Sequence, residues 1–348
     1  KEGSATYLRE YLRQIMMAKK PERNDYRDWQ LQQYYVDSIA WENDALYGWC
    51  NKNHKKDGSN YNIYTDGLKI FTTVDSRMQR YAEESVYGYV ALELQPAFNK
   101  QRQTSPNFPY STNLDTSDIN RILQRSMRQT DRYRSLKAEG MDEKSIFHSF
   151  NQPVPMTVFS YHGDVDTVMT PLDSIKYYKS FLRSGLVSID PSNGHVKAYV
   201  GGLDYTHFQY DMAIQGRRQV GSTMKPFVYA LAMEEGYSPS DLVANVHRTY
   251  YVSGQPWAPR NGSHARYGQM VTLKWGLSQS NNWVTAGLMY QIDPTGSKLK
   301  RYLGNFGVSN RDIHPSISLC LGTCDITVAE MASAYTAFAN RGMRCAPL

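Results

Sequence analysis

Apolar residues recur every three or four positions over several stretches of the chain and alternate over a few others, and this pattern sets the predicted elements. Residues 7–17 and 26–39 read as helices rich in Tyr, Arg and Gln, forming a connecting arm without a catalytic grouping. A polar loop over 51–62 precedes residues 68–74, Leu-Lys-Ile-Phe-Thr-Thr-Val, a β-branched and half-alternating run that predicts a strand. Asp75 then stands where it caps a helix running from Ser76 to about Leu94, with Met78, Tyr81, Ala82, Ser85, Val86 and Tyr89 on one stripe. Residues 116–150 repeat the helical pattern, with Ile119, Ile122, Leu123 and Met127 on one face and a break at Gly140.

Beyond Pro153 the character changes. Residues 156–161 predict a strand, 171–182 a short helix, and 186–190 with 195–200 two strands joined by the turn Pro191-Ser192-Asn193-Gly194. From Gly216 onward helical segments alternate with Gly/Pro loops, with neither an internal repeat nor a low-complexity tract. The organisation that follows is an N-terminal arm over 1–66, a helical region over 67–184 and a catalytic fold over 185–348.

Composition narrows the class. A chain of 348 residues with 41% hydrophobic, 13% aromatic and 21% charged residues has ample material for a buried core and a cleft. The net charge of +6 is spread, with basic runs no longer than Lys55-Lys56 and Arg217-Arg218, so nucleic acid is not an expected partner. No apolar stretch reaches the roughly 18 residues of a membrane span, and the chain opens on Lys without a signal-peptide pattern, so it reads as an excised fragment. Cys50, Cys320, Cys324 and Cys345 lack the paired spacing of a zinc site and read as isolated thiols, so no metal is expected. His195, His207, His247 and His264 fall at scattered spacings without a carboxylate partner and receive no catalytic role; the 27 tyrosines read as half-buried helix residues.

Candidate chemistry begins at Gly221-Ser222-Thr223-Met224-Lys225-Pro226. A serine hydroxyl needs a nearby proton acceptor to act as a nucleophile. The helix-forming run 227–235 ends at Gly236, which puts Ser222 at a helix start and the Lys225 amine three residues on, beside its hydroxyl. Pro226 is tolerated in a first turn. Burial would lower the amine's pKa toward that of a useful base, and the helix N-terminus favours negative charge developing at Ser222. Spacing alone is a weak signal, since roughly one or two Ser-x-x-Lys matches arise by chance in a chain of this length. The second match, Ser297 to Lys300, lies among charged residues and reads as a surface helix start.

Such a site also needs a hydroxyl to relay the proton to the leaving amine and an amide to hold a peptide, and Ser280-Asn281-Asn282 offers both. The same triplet pattern at Ser111 to Asn113 and Ser149 to Asn151 reads as loops or helix ends.

Flanking residues make the pattern specific. Residues 217–229, Arg-Arg-Gln-Val-Gly-Ser-Thr-Met-Lys-Pro-Phe-Val-Tyr, resemble the active-serine segment of class A penicillin-binding proteins. Val200-Gly201-Gly202 resembles the end of that family's opening strands. Trp257-Ala258-Pro259-Arg260-Asn261 and residues 268–273 resemble the loop leading to its second motif, of which Ser280 and Asn282 are then the counterparts. Leu321-Gly322-Thr323 with residues 326–331 and 334–340 resembles a later segment, and residues 67–86 resemble the linker strand and helix before the transpeptidase fold. The resemblance covers most of 67–340 and is strongest over 186–331. It departs in two places. The family's Lys-Thr-Gly strand has no counterpart after Asn282, which reads as truncation, and Arg183-Ser184-Gly185 is only a loose echo on the wrong side of Ser222. Nothing resembles the family's glycosyltransferase domain.

The resemblance implies an α/β, serine β-lactamase-like fold: an antiparallel sheet flanked by helices, beside a helical subdomain. It implies a D,D-transpeptidase that crosslinks peptidoglycan stem peptides through a serine acyl-enzyme, with Ser222 as nucleophile, Lys225 as base, Ser280 as relay and Asn282 as the substrate-holding amide. A D-Ala-D-Ala stem would be the donor, a diamino-acid stem the acceptor, β-lactams the inhibitors, and cell-wall synthesis proteins candidate partners. No cofactor is implied. The family's location is the outer, periplasmic face of the bacterial cytoplasmic membrane, with the anchoring segment absent from this chain. Loss of the third motif would impair the fragment. Two alternatives stand: a carboxypeptidase or β-lactam-binding sensor with the same chemistry, and a non-catalytic cell-wall interaction module.

Overall fold

A computed structural model describes residues 3–101, 104, 105, 107–308 and 313–347. Chain contacts gather it into two compact units, one formed by Lys1–Arg80, Gly185–Gly202 and Tyr210–Leu348, the other by Tyr81–Ser184 and Leu203–Gln209. Helices and antiparallel strands alternate, and among the described residues strands pair only two by two. The α/β class expected from the sequence is the class observed.

In the larger unit the hairpin Leu186–Ile189 and Val196–Val200 forms as predicted, turning at Gly194 with φ +79°. The second strand's outer edge is occupied by a side chain: the Gln79 amide accepts from Tyr199 N at 2.7 Å and donates to Tyr199 O at 2.8 Å, supplying the bonds a neighbouring strand would make. Leu68–Val74 is the clearest departure. It forms no strand; Thr73 Oγ1, donating to Val196 O at 3.0 Å, and Asp75 N, donating to Lys197 O at 2.9 Å, tie its end to the hairpin. Ile70, Phe71 and Thr72 are exposed, Phe71 to 92%, and β propensity without a partner surface does not make a strand.

Two helices carry the core of this unit. Asn282–Ile292 buries Trp283, Val284, Ala286, Leu288, Met289 and Ile292, apolar nearly all round and therefore enclosed. Lys225–Glu234 buries Phe227, Val228, Tyr229, Leu231 and Ala232 beside it. Leu273, Leu299, Leu303 and Leu319 close the same cluster. The ladders Arg217–Gln219 with Asp325–Thr327 and Leu242–Ala244 with Met270–Thr272 frame the starts of the segments that matter below.

The smaller unit is mostly helical. Asp75, a residue of the larger unit, caps the helix Ser76–Tyr89 as expected, by accepting from Arg77 N and Met78 N at 2.9 and 3.0 Å. The helix Ser76–Tyr89 runs into a π-helical turn over Val90–Leu94 and on through Gln95–Gln101. Residues 116–150 form three helices rather than two, Thr116–Arg128, Asp131–Ala138 and Glu143–Ser149, because Thr130 caps a new start by accepting from Tyr133 N. Met127, Ile146 and Phe150 form their core. Val154–Val158 pairs with Val165–Met169, a partner strand not foreseen. His207 does have a carboxylate partner, contrary to expectation: Nε2 lies 2.8 Å from Asp164 Oδ1 and Nδ1 lies 3.2 Å from Tyr178 Oη. The pair spans 43 positions, beyond any spacing pattern. Among the described residues no helix is long and apolar enough to cross a membrane.

Candidate active site

Ser222 lies on a 3-10 turn, Gly221–Met224, that continues directly into the helix Lys225–Glu234 with Pro226 in its first turn. The turn is held from below. Val220 N donates to Cys324 O at 3.1 Å and Gly221 N to Gly322 O at 3.2 Å, extending the ladder between Arg217–Gln219 and Asp325–Thr327. Gly322 has φ +71°, and a Cβ there would stand 2.2 Å from the Gly221 carbonyl oxygen, so only glycine allows this approach. Arg217 forks onto both carboxylate oxygens of Glu330 at 3.1 and 3.2 Å, while Tyr335 Oη donates to Thr223 O at 2.7 Å. Ser222 itself is exposed.

Lys225 is 1% exposed, and its three ammonium donors are all assigned. Nζ donates to the Ser280 carbonyl, to Ser280 Oγ at 2.9 Å and to Asn282 Oδ1 at 2.6 Å. All three acceptors are neutral, so nothing compensates a buried positive charge, and desolvation lowers the amine to a pKa of about 8. The Cys320 thiol beside it would favour the charged form only as a thiolate, and burial pushes that thiol up to about 12. Among the described residues Ser222 Oγ has no hydrogen bond, to Lys225 or to any other group. The shared turn brings the two residues together in the chain, while the amine is directed at the second triplet.

That triplet is shaped by a helix ending. After Leu273–Ser278, Ser280 N donates to Leu277 O and Asn281 N to Gly276 O, both at 2.9 Å, the paired bonds that close a helix on a left-handed residue. The left-handed residue is Ser280, at φ +48°, where glycine is the usual occupant. Its carbonyl and hydroxyl consequently both reach Lys225. Asn281 caps the next helix by accepting from Val284 N at 3.0 Å. Asn282 then presents Oδ1 to Lys225, while its Nδ2 donates to Arg260 O at 2.7 Å and its N–H to Asn261 Oδ1 at 2.9 Å. Trp283 Nε1 donates to Pro259 O at 2.9 Å, so the 257–261 loop is stitched to this turn.

Comparison with known proteins follows the same map. Residues 105–182 match the model of the penicillin-binding protein middle domain and residues 184–348 that of the penicillin binding protein transpeptidase domain. Penicillin-binding protein 1A of Aquifex aeolicus is 28% identical over 82% of this chain and 38% of its own length; penicillin-binding protein 1A of Neisseria meningitidis serogroup B is 36% identical over 47% of this chain and 20% of its own. The chain belongs to the penicillin-binding proteins, carrying that family's middle and transpeptidase domains. It spans well under half the length of those relatives. The crystal structure of penicillin-binding protein 1A from Haemophilus influenzae shares the fold, with a TM-score of 0.54 at 22% identity over 93% of this chain and 48% of that one.

Within this penicillin-binding fold the remaining sequence candidates lie elsewhere. Ser297 opens the helix Ser297–Asn305, on which Lys298 pairs with Glu235 at 2.9 Å. Ser111 accepts from Asn113 N in a local turn, and Ser149 donates to Ile146 O at a helix end. Arg183 lies over the Phe208 ring at 3.7 Å. All four cysteines are free thiols. Sequence reasoning gave no role to three amides that hold this arrangement together, Asn245, Asn261 and Asn281; Asn261 and Asn281 stood inside recognised segments, but Asn245 had no signal at all.

Proposed function

We propose that this chain carries a peptidoglycan D,D-transpeptidase site in which Ser222 is the nucleophile, Lys225 the base, Ser280 the relay and Asn282 the substrate-holding amide. The observation that carries the reading is Lys225: a fully buried lysine with neutral partners, one turn from an exposed serine, with a pKa of about 8. An amine with that pKa is unprotonated in about a tenth of molecules at pH 7, enough to accept a proton.

In this mechanism Ser222 Oγ attacks the carbonyl carbon of the penultimate D-Ala of a stem peptide while its proton passes to Lys225. The oxyanion formed is met by the Ser222 N–H as half of an oxyanion hole. The proton moves through Ser280 Oγ, 2.9 Å from Nζ, to the departing nitrogen. The C–N bond breaks, free D-alanine leaves, and the acyl group remains on Ser222. The amine of a neighbouring diamino-acid stem then attacks the ester, restoring the hydroxyl and forming the crosslink. β-Lactams enter by the same first step, their opened ring amide remaining tethered as the leaving group. The site faces the periplasmic side of the membrane in this reading.

Mass-spectrometric analysis of a D-Ala-D-Ala stem peptide incubated with the chain and an acceptor amine tests the assignment. Release of D-alanine together with a crosslinked product is expected. Hydrolysed donor alone would instead mean a carboxypeptidase, and unchanged peptide together with no β-lactam adduct would contradict the catalytic reading.

A further inference from the structure

Two buried asparagines lie behind the Ser280 turn. Asn245 follows the strand Leu242–Ala244 and is 0% exposed. Its N–H donates to Gln269 O and its carbonyl accepts from Gly268 N, both at 2.9 Å, prolonging the ladder with Met270–Thr272. Its Nδ2 donates to Ala265 O at 2.9 Å, and its Oδ1 accepts from Asn281 Nδ2 at 3.0 Å. Asn281, 3% exposed, is the residue between Ser280 and Asn282. One side chain thus ties together a strand end, the loop over 265–269 and the turn joining two helices.

We propose that Asn245 is a positioning residue of the acylation site, holding Ser280 Oγ and Asn282 Oδ1 in register with Lys225 through its bond to Asn281. The proposal rests on the reading of Ser222 and Lys225 given above. A site needed only for packing would be filled by an apolar side chain. An asparagine that is fully buried, with its amide matched on both sides, instead fixes a direction, and a missing partner leaves a buried N–H of Asn281 unpaired. The Ser280 backbone is already held at a left-handed φ of +48°, a conformation that relaxes once its support is loosened. Small displacements at a reacting centre cost far more in rate than in stability.

The test measures acylation of the full chain by a fluorescent penicillin across probe concentrations, which separates probe affinity from the acylation rate constant. Asn245→Ala removes the acceptor. Asn281→Asp keeps the oxygen that caps Val284 N–H but replaces the donor to Asn245 by a second acceptor, and it carries the test should Asn245→Ala not fold. Each variant is expected to lose about ten-fold or more in the rate constant, with probe affinity within about two-fold of wild type, and the double variant to be no slower than the slower single one. Acylation at the wild-type rate per folded molecule, whatever the melting temperature, overturns the proposal. A wild-type chain that takes no label overturns the site reading and this proposal together.

Discussion

Lys225 donates to Asn282 Oδ1 at 2.6 Å across 57 positions of sequence, joining the first turn of one buried helix to the first turn of another. The partner is neutral, which leaves burial free to lower the amine to about 8. Asn282→Asp would place a carboxylate at this distance and favour the ammonium. The acid limb of the pH–acylation profile is then expected to move about one to two units toward alkaline pH. A profile that keeps its midpoint would mean that Lys225 is not the titrating base.

Ser280 separates two effects of one position. Its hydroxyl receives Lys225 Nζ at 2.9 Å, and its backbone occupies the left-handed region at φ +48°. Ser280→Ala and Ser280→Gly both remove the hydroxyl and are each expected to slow acylation by about ten-fold or more. Only the glycine relieves the backbone, so Ser280→Gly should be about 1 kcal/mol more stable than Ser280→Ala. Equal denaturation midpoints would remove the strain argument.

The depressed Lys225 pKa also sets a pH dependence of stability. The folded value of about 8 lies below the ordinary 10.5, so between these values the unfolded chain binds a proton that the folded chain has released. Stability from this group therefore rises with pH from about 8 to 10.5, and below pH 8 the cost of the buried ammonium stands in full. Measured against Lys225→Met, in which the tyrosines still titrate and cancel, wild type should gain up to about 3 kcal/mol between pH 7 and 10.5. A constant difference in denaturation free energy across that range contradicts the burial of a titrating amine.

Gly322 controls the floor of the Ser222 turn. A Cβ added there meets Gly221 O at 2.2 Å and Gly221 N at 2.4 Å, in a residue already at φ +71°. Gly322→Ala is expected to destabilise the chain by about 2 kcal/mol or more and to slow acylation through displacement of Gly221. Chemical denaturation alongside labelling checks both, and unchanged values would show that the two glycines do not need this contact.

Legibility in the sequence followed the range of the interaction. The Leu186–Val200 hairpin, the caps at Asp75 and the spacing of Ser222 and Lys225 are local, and each could be read from neighbouring residues. The direction of the Lys225 amine was not, because spacing places it beside Ser222 while its donors go to residues more than fifty positions away. Ser280 and Asn282 were picked out by resemblance, since their triplet recurs at Ser111 and Ser149. Residues 68–74 misled because β-branched composition describes a surface waiting for a partner, and Ile70, Phe71 and Thr72 stay exposed. The partnership of His207 with Asp164 and the Asn245–Asn281 bond join distant segments that only the folded chain brings together.

Intact-mass spectrometry of the chain after incubation with a fluorescent penicillin, run beside Ser222→Ala, tests the central claim most directly. The account predicts one covalent adduct per molecule, mapping to Ser222 and absent from the variant. Well-folded wild-type protein without an adduct, or an adduct that persists in Ser222→Ala, would contradict it.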